Sequence, residues 1–174
     1  MPSTALPRTC GAGLLVMTLL APHLGCQTSL GAAVGTVLDA PEARAVAGVD
    51  LRVAIRDTRW VVNPRVAIYF AHQGASATQV DGNLLYRFRV GESERLEPFA
   101  GVGGTVVRGD LATPGVLTTG SRFGLNLVTG ATLRGSSSIV PFVQAVYTVI
   151  LEDPNSFSLL AGIRWTLVRT RRPP

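Results

Sequence analysis

Eight stretches of this chain alternate apolar and polar side chains over ten to fourteen residues each, and that periodicity constrains the fold more than anything else in it. Successive side chains on a β-strand point to opposite faces, so strict alternation marks a strand whose faces meet different surroundings. Trp60 to Ala71 is informative: Trp60, Val62, Pro64, Val66, Ile68 and Phe70 share one parity, Asn63, Arg65 and Tyr69 the other. In Ala77 to Val90, Val80, Leu84, Tyr86, Phe88 and Val90 oppose Gln79, Asp81, Asn83, Arg87 and Arg89. The same rhythm runs through Ala45 to Arg56, Arg95 to Val107, Arg122 to Arg134, Ser138 to Val149 and Phe157 to Leu167. Thr28 to Leu38 is a weaker first member. Gly, Pro, Asp, Asn and Ser clusters separate the segments, as turns require.

Length then selects the medium. Strands of soluble proteins average about five or six residues, whereas a tilted strand crossing a bilayer needs about 9–11. No ionisable residue falls on the apolar face in the central parts of these segments. A cation at the lipid-facing midplane costs about 2–4 kcal/mol, so a membrane barrel has reason to exclude it there. Charged residues make up 16% of the chain, against roughly 25% in a typical soluble protein. The expected fold is all-β: an eight-stranded antiparallel up-and-down transmembrane β-barrel.

With the mature N-terminus in the periplasm, Trp60, Tyr86, Phe88 and Trp165 fall at the periplasmic ends of the strands. Phe70, Phe123 and Phe157 then fall at the outer ends. Two such groups are the aromatic girdles expected at the membrane interfaces. Arg56 to Arg59, Gly91 to Glu94 and Gly135 to Ser137 read as tight periplasmic turns. Asp39 to Arg44, His72 to Ser76, Gly109 to Gly120 and Glu152 to Asn155 read as outer loops, with Gly109 to Gly120 the longest.

Residues 63–70 (NPRVAIYF), 83–88 (NLLYRF), 97–103 (EPFAGVG), 141–145 (PFVQA) and 161–165 (AGIRW) together resemble the eight-stranded outer-membrane β-barrel proteins of the OmpA/OmpX-like and opacity-protein-like group. The resemblance spans Thr28 to Leu167 and implies a barrel without implying an activity. It also implies a final-strand signal read by the barrel-assembly machinery, at Gly162, Trp165 and Leu167. The chain departs from that pattern in ending the strand with leucine instead of phenylalanine and in continuing to Pro174.

Residues 1–26 read as a secretory leader: Arg8 precedes an apolar run from Gly11 to Ala21, too short to span a bilayer as a helix. His23 to Cys26 resembles a lipoprotein cleavage box, but ordinary cleavage nearby is the preferred reading. Both cysteines, Cys10 and Cys26, lie in this region, so the barrel (27–168) has none for a disulfide framework. Residues 169–174 form a short basic tail. Every basic side chain is arginine, and the net charge is +5. These arginines are scattered, without the clustered footprint of a nucleic-acid binder.

Eight strands enclose a lumen just wide enough for side chains to fill. Its expected polar network comprises Asp50, Arg52, Arg65, Asp81, Arg87, Glu97, Arg122 and Arg164, with pairing left open because it depends on register. The interior reads as plugged, in preference to a narrow conduit. His72, with Ser76 nearby, lacks a visible carboxylate partner, so no catalytic residue is assigned, and no metal or cofactor motif occurs. The expected role is non-enzymatic, structural or surface-interacting, exerted through the outer loops. The expected partners are outer-membrane lipid, the assembly machinery and an unidentified loop partner, with no nucleic acid, for a monomer. The alternatives are a soluble lipocalin-like carrier, with the faces reversed, and a narrow-channel or lipid-modifying outer-membrane barrel.

Overall fold

The computed structural model describes residues 27–39, 42–72, 75–90, 95–113, 116–134, 137–151 and 155–168. The leader (1–26) and the tail (169–174) lie outside the described residues, as does the turn at 91–94. Every regular element described is a strand: β1 (Thr28–Asp39), β2 (Glu42–Ala54), β3 (Trp60–His72), β4 (Ala75–Arg87), β5 (Leu96–Thr113), β6 (Val116–Leu133), β7 (Ile139–Ile150) and β8 (Ser156–Val168). Each pairs antiparallel with the next, and β8 pairs with β1 to close an eight-stranded barrel. Closure leaves no sheet edge, which is what hydrocarbon demands of a β structure.

The two parities separate as the sequence requires. Val34, Val49, Ile68, Val80, Val102, Leu127, Val143 and Ile163 face outward and are exposed, while Asp50, Asn63, Arg65, Asp81, Asn126, Gln144 and Arg164 are buried inside. A soluble carrier needs the reverse arrangement, so the lipocalin-like alternative is excluded. The interior is also less uniformly polar than the sequence suggests. Val46, Val61, Leu85, Phe99, Val128, Val146 and Leu160 point inward and form one buried apolar cluster.

That lumen is filled by pairing large inward residues with inward glycines on the neighbouring strand. Leu85 sits opposite Gly101, Phe99 opposite Gly130, Phe142 opposite Gly162, and Leu160 opposite Gly35. At Gly130 a methyl group would collide with the Phe99 ring and the Val143 carbonyl. The glycines at 101 and 103 have no room for a Cβ, whereas one at Gly82 would meet open space.

Pro64 breaks the β2–β3 ladder locally. Ile55 donates to the Trp60 carbonyl at 2.9 Å, and hydrogen-bonded pairs recur every second residue, so Leu51 and Pro64 form such a pair. Proline has no N–H to donate. The Asn63 side-chain amide donates to the Leu51 carbonyl instead, at 3.0 Å. Leu51 itself departs from the expected pattern: its parity is outward, yet it is buried beside this interruption.

The two barrel ends differ. At the turn end, Thr58 N–H donates to Ile55 O at 3.1 Å, and Asp57 adopts a φ of 56°, a conformation aspartate tolerates better than most residues. At the hairpin end, the expected long loop from Gly109 to Gly120 is largely strand. Asp110, Leu111, Ala112 and Thr113 pair with Thr119, Thr118, Leu117 and Val116. β5 and β6 each run 18 residues, where the other strands have 12 or 13. The turn-like composition of Gly109–Gly120 masked a continuing ladder. Likewise, β3 and β4 remain paired at His72 and Ala75, and β1 and β2 at Asp39 and Glu42.

Candidate functional site in the barrel interior

Inward parity on β2, β3, β4, β6 and β8 converges polar side chains on the barrel axis, where register decides their partners. Arg65 on β3 and Asp81 on β4 are register partners, and Arg65 Nε meets Asp81 Oδ2 at 2.5 Å. Gln79 donates to Asp81 Oδ1 at 2.7 Å, and Asn126, reaching across from β6, donates to the same oxygen at 2.9 Å. Tyr69 donates its hydroxyl proton to Gln79 Oε1. Thr148 donates to Asn126 Oδ1 at 2.9 Å, extending this cluster to β7.

A second cluster centres on Asp50. Arg164 Nη2 bridges both its carboxylate oxygens, at 3.2 and 3.1 Å, and Asn63 donates to Oδ1 at 3.2 Å. Arg164 Nη1 donates to Thr132 Oγ1 at 3.3 Å, and the guanidinium carbon stands 4.0 Å from the centroid of the Phe142 ring. Gly31 opposite Asp50 leaves space for this pair, since a Cβ there would lie 2.7 Å from Asp50 Oδ2. Asn83 donates to the Asn63 carbonyl at 3.4 Å and accepts from Asn126 at 3.3 Å, which links the two clusters. Removing charges from water is costly unless they are paired and hydrogen-bonded. Both buried carboxylates meet that condition here.

A third group lies at the turn end. Glu97 pairs with Arg134 and stands 4.0 Å from Arg87. Arg52 is buried with its guanidinium carbon 3.9 Å from the Phe99 ring centroid. The eight ionisable residues expected in one network therefore divide: Asp50 with Arg164, Arg65 with Asp81, Arg87 with Glu97, and Arg52 against an aromatic ring. Arg122, half-buried, lies nearer the hairpin end of β6, opposite Val107.

Sequence reasoning placed Asn63 on the right parity but gave it no role; its link to Arg65 by period two was the available signal. The stacking of Arg52 on Phe99 and of Arg164 on Phe142 is not visible from parity, because it needs register. Arg134, at the end of β6, was likewise passed over as a Glu97 partner.

The expected girdle residues lie at both ends of the outer surface. Trp60 is the register partner of Tyr86, their ring centroids are 5.0 Å apart in edge-to-face contact, and Tyr86 meets Phe88 at 5.1 Å in the same manner. Trp165 lies between Leu30 and Ile139 at that turn end. Phe70 and Phe123 are exposed towards the hairpin end, and Phe157 pairs there with Tyr147, a residue the girdle assignment omitted. Gly162, Trp165 and Leu167 all lie on β8, and Gly162 has a separate steric role: a Cβ would strike the Ala32 carbonyl of β1. His72 ends β3, and its side chain lies outside those described.

No protein-family model matches the sequence, and neither does any curated protein. Solved structures do share its shape. Neisserial surface protein A superposes with a TM-score of 0.63 at 14% identity, over 82% of this chain and 97% of that one. The chain has the fold of the eight-stranded outer-membrane barrels. Ail, the attachment invasion locus protein of Yersinia pestis, follows at 0.58 and 14% identity, over 82% of this chain and 97% of its own. The outer membrane enzyme PagL reaches 0.54 at 13% identity, over 79% of this chain and 98% of that one. Fold alone therefore leaves the activity open, while the apolar outer belt and polar, ion-paired interior suit this barrel to an outer membrane.

Proposed function

We propose that this protein is a non-enzymatic outer-membrane barrel with a plugged interior, a structural anchor that presents its hairpin end for surface interaction. The observation that carries the reading is the cross-linked interior: Asp81 is bound from β3, β4 and β6, and Asp50 from β3 and β8. Such a lumen offers rigidity in place of passage. The β5–β6 ladder, prolonged beyond its neighbours, supplies a stiff projection at the hairpin end. Neisserial surface protein A and the attachment invasion locus protein, similar in fold, carry names of surface and attachment proteins.

The test joins conductance to topology. The purified barrel in planar bilayers is expected to give no steady single-channel current, and an epitope inserted at 114–115 is expected to bind antibody on intact cells. A stable conductance refutes the plugged interior, and an epitope reached only after permeabilisation refutes the surface role.

A further inference from the structure

We propose that the cavity at the turn end of the barrel is a binding site for a small oxyanion, a phosphate- or carboxylate-bearing ligand received by Arg52. The cavity has a volume of about 320 Å³ and is lined by Arg52, Arg87, Arg134, Arg164 and Glu97, with Gln27 and Ser137 at its rim. That volume lies at the lower end of the range for small-molecule sites, about 300–1,000 Å³.

Charge and hydrogen bonding identify the ligand class. Four guanidinium groups line the cavity against one carboxylate. Glu97 is divided between Arg134 and Arg87, and Arg164 is held from behind by Asp50. Counting both carboxylates, the group retains an excess of two positive charges. Among the described residues Arg52 makes no direct ion pair. It is 6% exposed, and its Nε and Nη2 have no hydrogen-bond partner among the described residues. Buried donors in native proteins are nearly always satisfied, and a buried cation without a counter-charge is strongly unfavourable. The planar guanidinium fork matches the paired oxygens of a carboxylate or phosphate, a geometry no halide supplies. Phe99, itself seated against Gly130, holds that fork in place by stacking, so little ordering remains for the ligand to impose.

The experiment is an NMR titration of the full barrel in micelles of a phosphate-free detergent, following the arginine Nε–Hε resonances. Sodium phosphate is compared with sodium chloride at matched ionic strength. A saturable shift of the Arg52 resonance with phosphate, at least tenfold tighter than any response to chloride, is the expected result. It should vanish in Arg52→Gln and persist in Arg56→Gln, whose side chain is exposed in the β2–β3 turn. Equal responses to both salts, or an unchanged response in Arg52→Gln, overturns the proposal. If Arg52→Gln does not fold, the wild-type titration still decides, and Arg87→Gln is expected to weaken the phosphate response several-fold. A parallel arm adds short-chain phosphatidic acid to the micelles. A matching Arg52 shift there assigns the oxyanion to a lipid headgroup, and a response to free phosphate alone assigns it to a soluble ligand.

Discussion

Replacing Arg164 by methionine should destabilise the barrel by about 3–5 kcal/mol, the usual cost of leaving one member of a buried ion pair behind. The side chain bridges both oxygens of Asp50 at 3.2 and 3.1 Å, reaches Thr132 at 3.3 Å, and stacks on Phe142 at 4.0 Å. Without it, the Asp50 carboxylate keeps, among the described residues, only the 3.2 Å bond from Asn63. Charge-assisted hydrogen bonds contribute about 1.5–3 kcal/mol each, so losing two bonds that share one guanidinium nitrogen accounts for that range without the stacking contribution. Asp50→Asn should cost less, because the remaining Arg164 still has Thr132 and the Phe142 ring. The double variant Asp50→Asn/Arg164→Met then escapes the orphaned charge, and its cost should fall below the sum of the singles by about 2–3 kcal/mol. Urea unfolding from lipid vesicles measures this, reported by Trp60 and Trp165, the chain's two tryptophans. If Arg164→Met costs under about 1 kcal/mol, or the two substitutions are additive, the pair does not hold the interior as described.

Three further perturbations test separate parts of the argument. Leu127→Arg, on the exposed face midway along β6, should cost about 2–4 kcal/mol in vesicles, whereas Leu133→Arg at the strand end should cost about 0–1 kcal/mol; equal costs would contradict a hydrocarbon belt. Gly101→Val should abolish folding or lower stability by more than about 3 kcal/mol, because its Cβ has no room beside Leu84 and Leu85, while Gly82→Val should fold with unchanged heat-modifiable gel migration. Asn63→Leu removes the donor that replaces the missing Pro64 N–H and a ligand of Asp50, with an expected loss of about 2–3 kcal/mol by the same urea titration; a change under about 0.5 kcal/mol would show the Leu51 carbonyl needs no such partner.

The faces of the barrel were legible because parity is a local property. Trp60 to Ala71 sorts into lipid and lumen sides by counting alone, and β3 follows that division from Trp60 to Phe70. The hairpin end was less legible, since Gly109 to Gly120 has the Gly, Pro and Thr content of a loop, while its pairing is decided by the ladder already running below it. Leu51 departs from its parity for a related reason: the perturbation comes from Pro64 on another strand. Which arginine meets which carboxylate was beyond sequence because register is a relation between strands. A two-residue slip keeps both faces and reassigns every partner.

The inward glycines show how register could nonetheless be constrained. A barrel of eight strands has a fixed cross-section, so the volume of one layer is shared among few side chains. Phe99 against Gly130, Phe142 against Gly162, Leu85 against Gly101 and Leu160 against Gly35 keep two bulky groups from meeting across adjacent strands. A slip of two residues would set Phe99 opposite Val128 or Thr132, where neither neighbour leaves room for the ring. The same two rings, once positioned, support Arg52 and Arg164. Steric exclusion thus selects the register, and the register assembles the charged interior.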